Sequence, residues 1–160
     1  MIWLDQWSSP QRPTACATET GALAKTLIDT SVWIDFFRKK EPCYGLVSQL
    51  LAEQTICTAG LIMAELIQGS KTHKEVDVIK DFVPTFEYLQ DTPHIWLNAA
   101  EAAHRLRRTG TTASLSDCLI ASLALHYDAG LLSLDSHFTA IQSIVPFKNS
   151  PLTRACKKIL

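Results

Sequence analysis

Four acidic residues stand apart because of what surrounds them. Asp29 follows the apolar pair Leu27 and Ile28, and Asp135 ends the run Leu131, Leu132, Ser133, Leu134. An acid that ends a buried strand emerges at the carboxyl edge of an α/β sheet, where the loops converge and ligands bind. Glu65 is the only ionisable residue between Ala59 and Ile67. A charge on an otherwise apolar helix is costly unless something compensates it; a solvent-facing place on the helix rim is the alternative. Asp117 precedes Cys118, Leu119, Ile120 and Ala121 at the first turn of a helix, where the macrodipole favours an aspartate with no function at all. As a set the four say more than each alone. If their strands share one sheet, the carboxylates gather despite their separation along the chain, and they repel one another unless protonated or neutralised. A hard dication with oxygen ligands resolves that repulsion, which suits magnesium or manganese better than zinc.

Other chemistries find less support. His73, His94, His104, His126 and His137 show no paired metal-ligand spacing and read as surface or core residues. The five cysteines are scattered, with no CxxC pair, so neither a disulfide framework nor a zinc knuckle is expected and a reducing cytoplasm is the default compartment. Cys57 and Cys118 lie in apolar runs and read as core. Fifteen basic against sixteen acidic residues give a formal charge of −1, so a polyanion must find a local basic patch. Arg38, Lys39 and Lys40 form one candidate and Arg105, Arg107 and Arg108 another; both equally fit solvated helix ends. No apolar run reaches the roughly 18 to 20 residues that span a bilayer, and the start lacks a secretory pattern.

The elements that must position these acids alternate. Residues 1–25 carry no sustained period and read as an N-terminal extension; residues 26–150 form one patterned domain, and 151–160 a tail. A strand before Asp29 leads into a helix over residues 32–39, and a second helix carries Leu46, Val47, Leu50 and Leu51 on one face. A β-prone stretch at residues 55–58 precedes a helix over 59–68, with Gly69 as its C-cap. Helices over 73–83 and 94–108 flank a strand near 86–89. Ser116 is expected to cap a helix that Gly130 ends, before the strand at 131–134 and a last short helix and strand. Such alternation indicates an α/β domain built as an α/β/α sandwich, with a central, mostly parallel sheet flanked by helices.

The segments "LIDTSVWIDFFR", "TAGLIMAELIQGS", "RLRRTGTTASLSDCLIASLAL" and "GLLSLDSHF" resemble, in order and spacing, the motifs of the PIN-domain family, specifically its VapC-type toxin ribonucleases. The likeness spans residues 27–146 and implies a PIN-like fold. It places Asp29, Glu65, Asp117 and Asp135 at the family's four acidic positions. Thr30, Ser31, Ser116 and Ser133 match its small polar positions, where a hydroxyl can orient a carboxylate; ordinary cap and strand-end bonding is the other reading. The resemblance implies an endoribonuclease that uses Mg²⁺ or Mn²⁺ to hydrolyse RNA phosphodiesters, with Arg105, Arg107 and Arg108 as candidate phosphate contacts. It also implies a homodimer and a cognate VapB-type antitoxin. Trp33, Phe36 and Phe37 suit such an interface or core packing. Asp35 also recurs in similar sequences but reads as a surface or structural charge. The rivals are a catalytically silent PIN module that binds RNA or protein, and a related DNA-directed nuclease. A haloacid-dehalogenase phosphatase needs a second acid where Ser31 stands, and a receiver domain needs an acidic pair and a late lysine that are not present.

Overall fold

In the computed structural model, which describes residues 25–82 and 85–150, every residue of β1 (Thr26–Ile28) and β2 (Ile56–Ala59) is buried. Strands buried on both sides belong to a parallel sheet covered by helices. Three further strands, β3 (Glu87–Leu89), β4 (Gly130–Leu132) and β5 (Lys148–Asn149), complete the order β3-β2-β1-β4-β5. All four pairings are parallel, with Leu27 opposite both Cys57 and Leu131. The sheet expected to be mostly parallel is therefore wholly so among the described residues.

Two helical groups cover it. The chain steps from β1 to β2 through α1 (Thr30–Phe37) and α2 (Cys43–Glu53), and on to β3 through α3 (Gly60–Gly69) and α4 (His73–Phe82). It then crosses back to β4 through α5 (Pro93–Arg108) and α6 (Leu115–His126), and reaches β5 through α7 (His137–Gln142). Right-handed crossovers place the first four helices on one face and the last three on the other. The packing agrees: α1 meets α2 and α3, α3 meets α4, and α5, α6 and α7 meet one another. Helix α6 is buried without a break over Cys118–Ala124, as a helix apolar on all sides must be. On the other face Trp33, only 2% exposed, sits among Phe36, Phe37, Phe82 and Phe86. It is a core residue, whereas Phe37 remains partly exposed.

Several boundaries differ from those expected. Ser114, not Ser116, caps α6: its hydroxyl accepts the amide of Asp117 at 2.9 Å. Gly69 is the last residue of α3, and Ser70 follows in extended conformation, so no left-handed glycine cap forms there. Gly130 opens β4 rather than closing α6; the left-handed residue after that helix is Asp128. Strand β4 ends at Leu132, which leaves Ser133 and Leu134 in the loop above the sheet. Gly60 makes room for a close approach, because a Cβ there would collide with the hydroxyl of Tyr88 from β3 and that ring would have to shift. No described helix is long and apolar enough to cross a membrane. Residues 1–24 and 151–160, which hold most of the expected extension and the whole tail, lie outside the described residues.

Candidate active site

The switch in chain direction across the sheet falls between β1 and β4, the place where an open parallel sheet leaves a crevice beyond its carboxyl ends. Asp29 occupies it. The residue is 5% exposed and is the N-cap of α1, and its amide donates to Leu132 O at 2.9 Å, which extends the β1–β4 ladder by one rung. Its Oδ2 accepts the Ser31 amide at 3.3 Å, the Ser31 hydroxyl at 2.5 Å and the Ser133 hydroxyl at 2.9 Å. Three donors on one oxygen compensate the burial of the carboxylate.

Those two serines also stitch the strand ends together. Ser31 Oγ accepts the Leu134 amide at 3.2 Å, and Ser133 Oγ accepts the Asp135 amide at 3.0 Å. A single hydroxyl, that of Ser133, thus donates to one acid and fixes the backbone of another. Asp135 Oδ1 in turn takes the amide of His137 at 2.8 Å and lies 3.2 Å from that residue's Nδ1.

Glu65 reaches the same junction from α3. Its Oε2 accepts the Thr30 hydroxyl at 2.6 Å, from the residue directly after Asp29. Asp117 arrives from the first turn of α6. Burial pushes its carboxyl above the ordinary value of 3.8; a hydrogen bond from Ser114 opposes this, the negative charges of Asp135 and Asp29 add to the rise, and His137 works against it. Ligand atoms of Asp117, Asp135 and His137 all lie within 4.8 Å of one another.

Of the four acids expected, the structure thus brings Asp117 and Asp135 side by side, joins Asp29 to Asp135 through Ser133, and joins Glu65 to the residue after Asp29. The supporting hydroxyls divide. Thr30, Ser31 and Ser133 bond acids directly, whereas Ser116 bonds only Ser114, at 2.9 Å. Ser114 was the residue missed, although a serine three positions before an acid, just ahead of an apolar run, is an N-cap signature. His137 was also set aside. Nothing in its spacing singles it out, and only the turn after β4 carries it back to Asp135. Asp35 pairs with Lys40 at 3.1 Å, away from the cluster. Arg105 lines a cleft of about 300 Å³ with Glu101 and His126 that includes none of the four acids. Arg107 and Arg108 are exposed in the last turn of α5, before the short connection to Ser114.

Among the described residues the cysteines offer no competing chemistry. Cys43, Cys57 and Cys118 are buried and in no disulfide, and burial, with Glu87 adding to it, pushes the Cys57 thiol up to about 12. A thiol so far from ionising is no nucleophile. The acidic cluster, by contrast, suits a divalent cation. Its donors are carboxylate oxygens with one imidazole beside them, and the acid caught between burial and two like charges is the one whose ionised form a cation restores.

Comparison with known proteins agrees with this geometry. The PIN domain family model matches residues 26–143. VapC ribonuclease Mb1587 of Mycobacterium bovis is 32% identical over 126 residues, which cover 74% of this chain and 92% of that protein. Among solved structures, VapBC-1 from nontypeable Haemophilus influenzae superposes with a TM-score of 0.62 at 23% identity, covering 78% of this chain and 96% of that one. VapBC-5 from Mycobacterium tuberculosis, a member of the VapBC family of toxin-antitoxin systems, does so with a TM-score of 0.55 at 20% identity, covering 74% and 91%. The switch-point acids, the all-parallel sheet and these matches together establish that the chain belongs to the PIN domain family.

Proposed function

We propose that this chain is the toxin of a type II toxin–antitoxin system, an endoribonuclease that hydrolyses RNA phosphodiester bonds with the help of Mg²⁺ or Mn²⁺. The observation that carries the reading is the convergence of Asp29, Asp117 and Asp135 at the β1–β4 switch point, with Glu65 tied to Thr30 alongside. The relative named as a VapC ribonuclease and the solved VapBC assemblies support it. The VapBC assemblies also support a VapB-type antitoxin as partner; a homodimer acting in the cytoplasm completes the proposal.

Asp29, Asp117, Asp135 and Glu65 are the residues that would hold the ion. When bound, it supplies Lewis-acid activation of water and charge neutralisation at the phosphoryl group. The protein's own contribution is preorganisation. Ser31 and Ser133 donate to Oδ2 of Asp29, and no described residue donates to its Oδ1. The backbone and imidazole of His137 fix Asp135 through Oδ1. Thr30 holds one oxygen of Glu65 and leaves the other to a ligand or a water. Groups fixed in this way need no reorganisation as charge develops on the phosphate.

Purified protein is expected to cleave single-stranded RNA with Mg²⁺ or Mn²⁺ and to stop when the ion is chelated. Asp29→Asn should abolish cleavage while circular dichroism shows an unchanged fold. Cleavage that survives both chelation and this substitution would overturn the reading, and a DNA oligonucleotide cut in preference to RNA would replace ribonuclease with deoxyribonuclease.

A further inference from the structure

We infer that the substrate strand is led to the acids along the cleft between α1, α3 and α4, with Arg38, Lys71 and Lys74 on its phosphates and Phe37 beneath a base. The inference rests on the ribonuclease reading and extends it to how the polyanion is held. Four carboxylates repel a phosphodiester, so binding energy must come from elsewhere. The cleft has a volume of about 450 Å³, and its wall includes Glu65, so it reaches the acidic site at that residue.

Three cations line it: Arg38 at the end of α1, Lys71 in the turn after α3, and Lys74 in the first turn of α4. None belongs to an ion pair among the described residues. Glu75, the acid beside them, is committed to backbone amides, accepting those of Lys71 at 2.6 Å and Thr72 at 3.3 Å. With three cations against Glu65 and Glu75, the cleft wall keeps a net positive charge. Its floor is apolar, with Phe37 37% exposed. That ring is stacked on the buried Trp33 at 5.9 Å and 26°, and is braced edge-on by Phe82. A rigid, half-exposed aromatic among unpaired cations is the arrangement by which proteins hold a single strand, the ring stacking a base and the cations tracking the backbone. The α5 arginines lack this combination, since Arg105 shares its cleft with Glu101 and with none of the four acids.

The test uses the full chain carrying Asp29→Asn, so that binding is read without cleavage, and a fluorescent single-stranded oligoribonucleotide. Adding Arg38→Gln, Lys71→Gln and Lys74→Gln together should raise Kd roughly tenfold at low salt. It should also reduce the slope of log Kd against log salt by about 2, as expected for three contacts to a single strand. Photocrosslinking with mass spectrometry should place adducts on Phe37. An unchanged Kd and slope, crosslinks confined to the end of α5, or no crosslink at all would each overturn the path. So would a triple variant that binds RNA as before but loses a protein partner, which would make the cleft a protein-docking groove. Failure of the ribonuclease reading shows separately, as wild-type protein that cuts no RNA.

Discussion

Burial and the charges of Asp135 and Asp29 all favour the proton on Asp117 and raise its carboxyl above the ordinary value. The sign of the linkage follows. The folded state binds this proton more tightly than the unfolded chain does, so the resulting stability is present in full below the ordinary value of 3.8 and is lost as pH rises through the raised value. At neutral pH the metal-free protein carries the whole penalty. Asp117→Asn should therefore raise the Tm of the chelated protein by a few degrees, as expected for a change on the order of 1 kcal/mol, while removing RNA cleavage. The gain should shrink as pH is lowered toward the raised value, where wild type sheds the same charge by protonation. Calorimetry across pH in a chelating buffer checks this, and an equal or lower Tm for the variant at neutral pH would mean that the like charges do not cost what the geometry implies.

At the scale of elements, what could be read from residues depended on whether the cue was local. Asp29 and Asp135 were readable because apolar strands stop abruptly at them, and the α/β alternation followed from runs such as Ile56–Ala59 and Leu115–His126. Which serine caps α6 is also a local matter: Ser114, three positions before Asp117, carries the cap signature, and Ser116 was expected in its place because it stands directly before that acid. Gly69 shows the limit of residue statistics, since a glycine near a helix end has no need to adopt a left-handed conformation. His137 and the Thr30–Glu65 bond were out of reach because both depend on how separate elements meet. Gly60 is a similar case, for its reason lies in Tyr88 on β3. Gly60→Ala should destabilise the protein by about 1 to 3 kcal/mol through this collision, as measured by denaturant unfolding. Tyr88→Phe in the same chain should recover most of the loss; without that recovery, the cost belongs to the backbone rather than to the hydroxyl.

For the molecule as a whole, a formal charge of −1 hides a division of labour. Acids gather beyond β1 and β4, while unpaired cations line the cleft beside Glu65. Gathering the acids costs stability that a bound ion returns. Saturating Mg²⁺ or Mn²⁺ should therefore raise Tm, by about 2.7 kcal/mol of added stability at a hundredfold excess over Kd. The shift should be lost in Asp29→Asn, as checked by thermal scanning with and without metal. An identical Tm in both conditions would count against an assembled site.

The pairing of Asp29 with Ser133 spans 104 positions, and Asp117 and Asp135, the acids that join it at the switch point, follow it late in the sequence. During synthesis Asp29 is made well before Asp135, which follows 106 positions later. Until β4 docks against β1, a nascent chain holds only two of its four acids in place. The assembled site thus waits on a long-range pairing, and a chain that has yet to make it lacks the arrangement for cutting RNA.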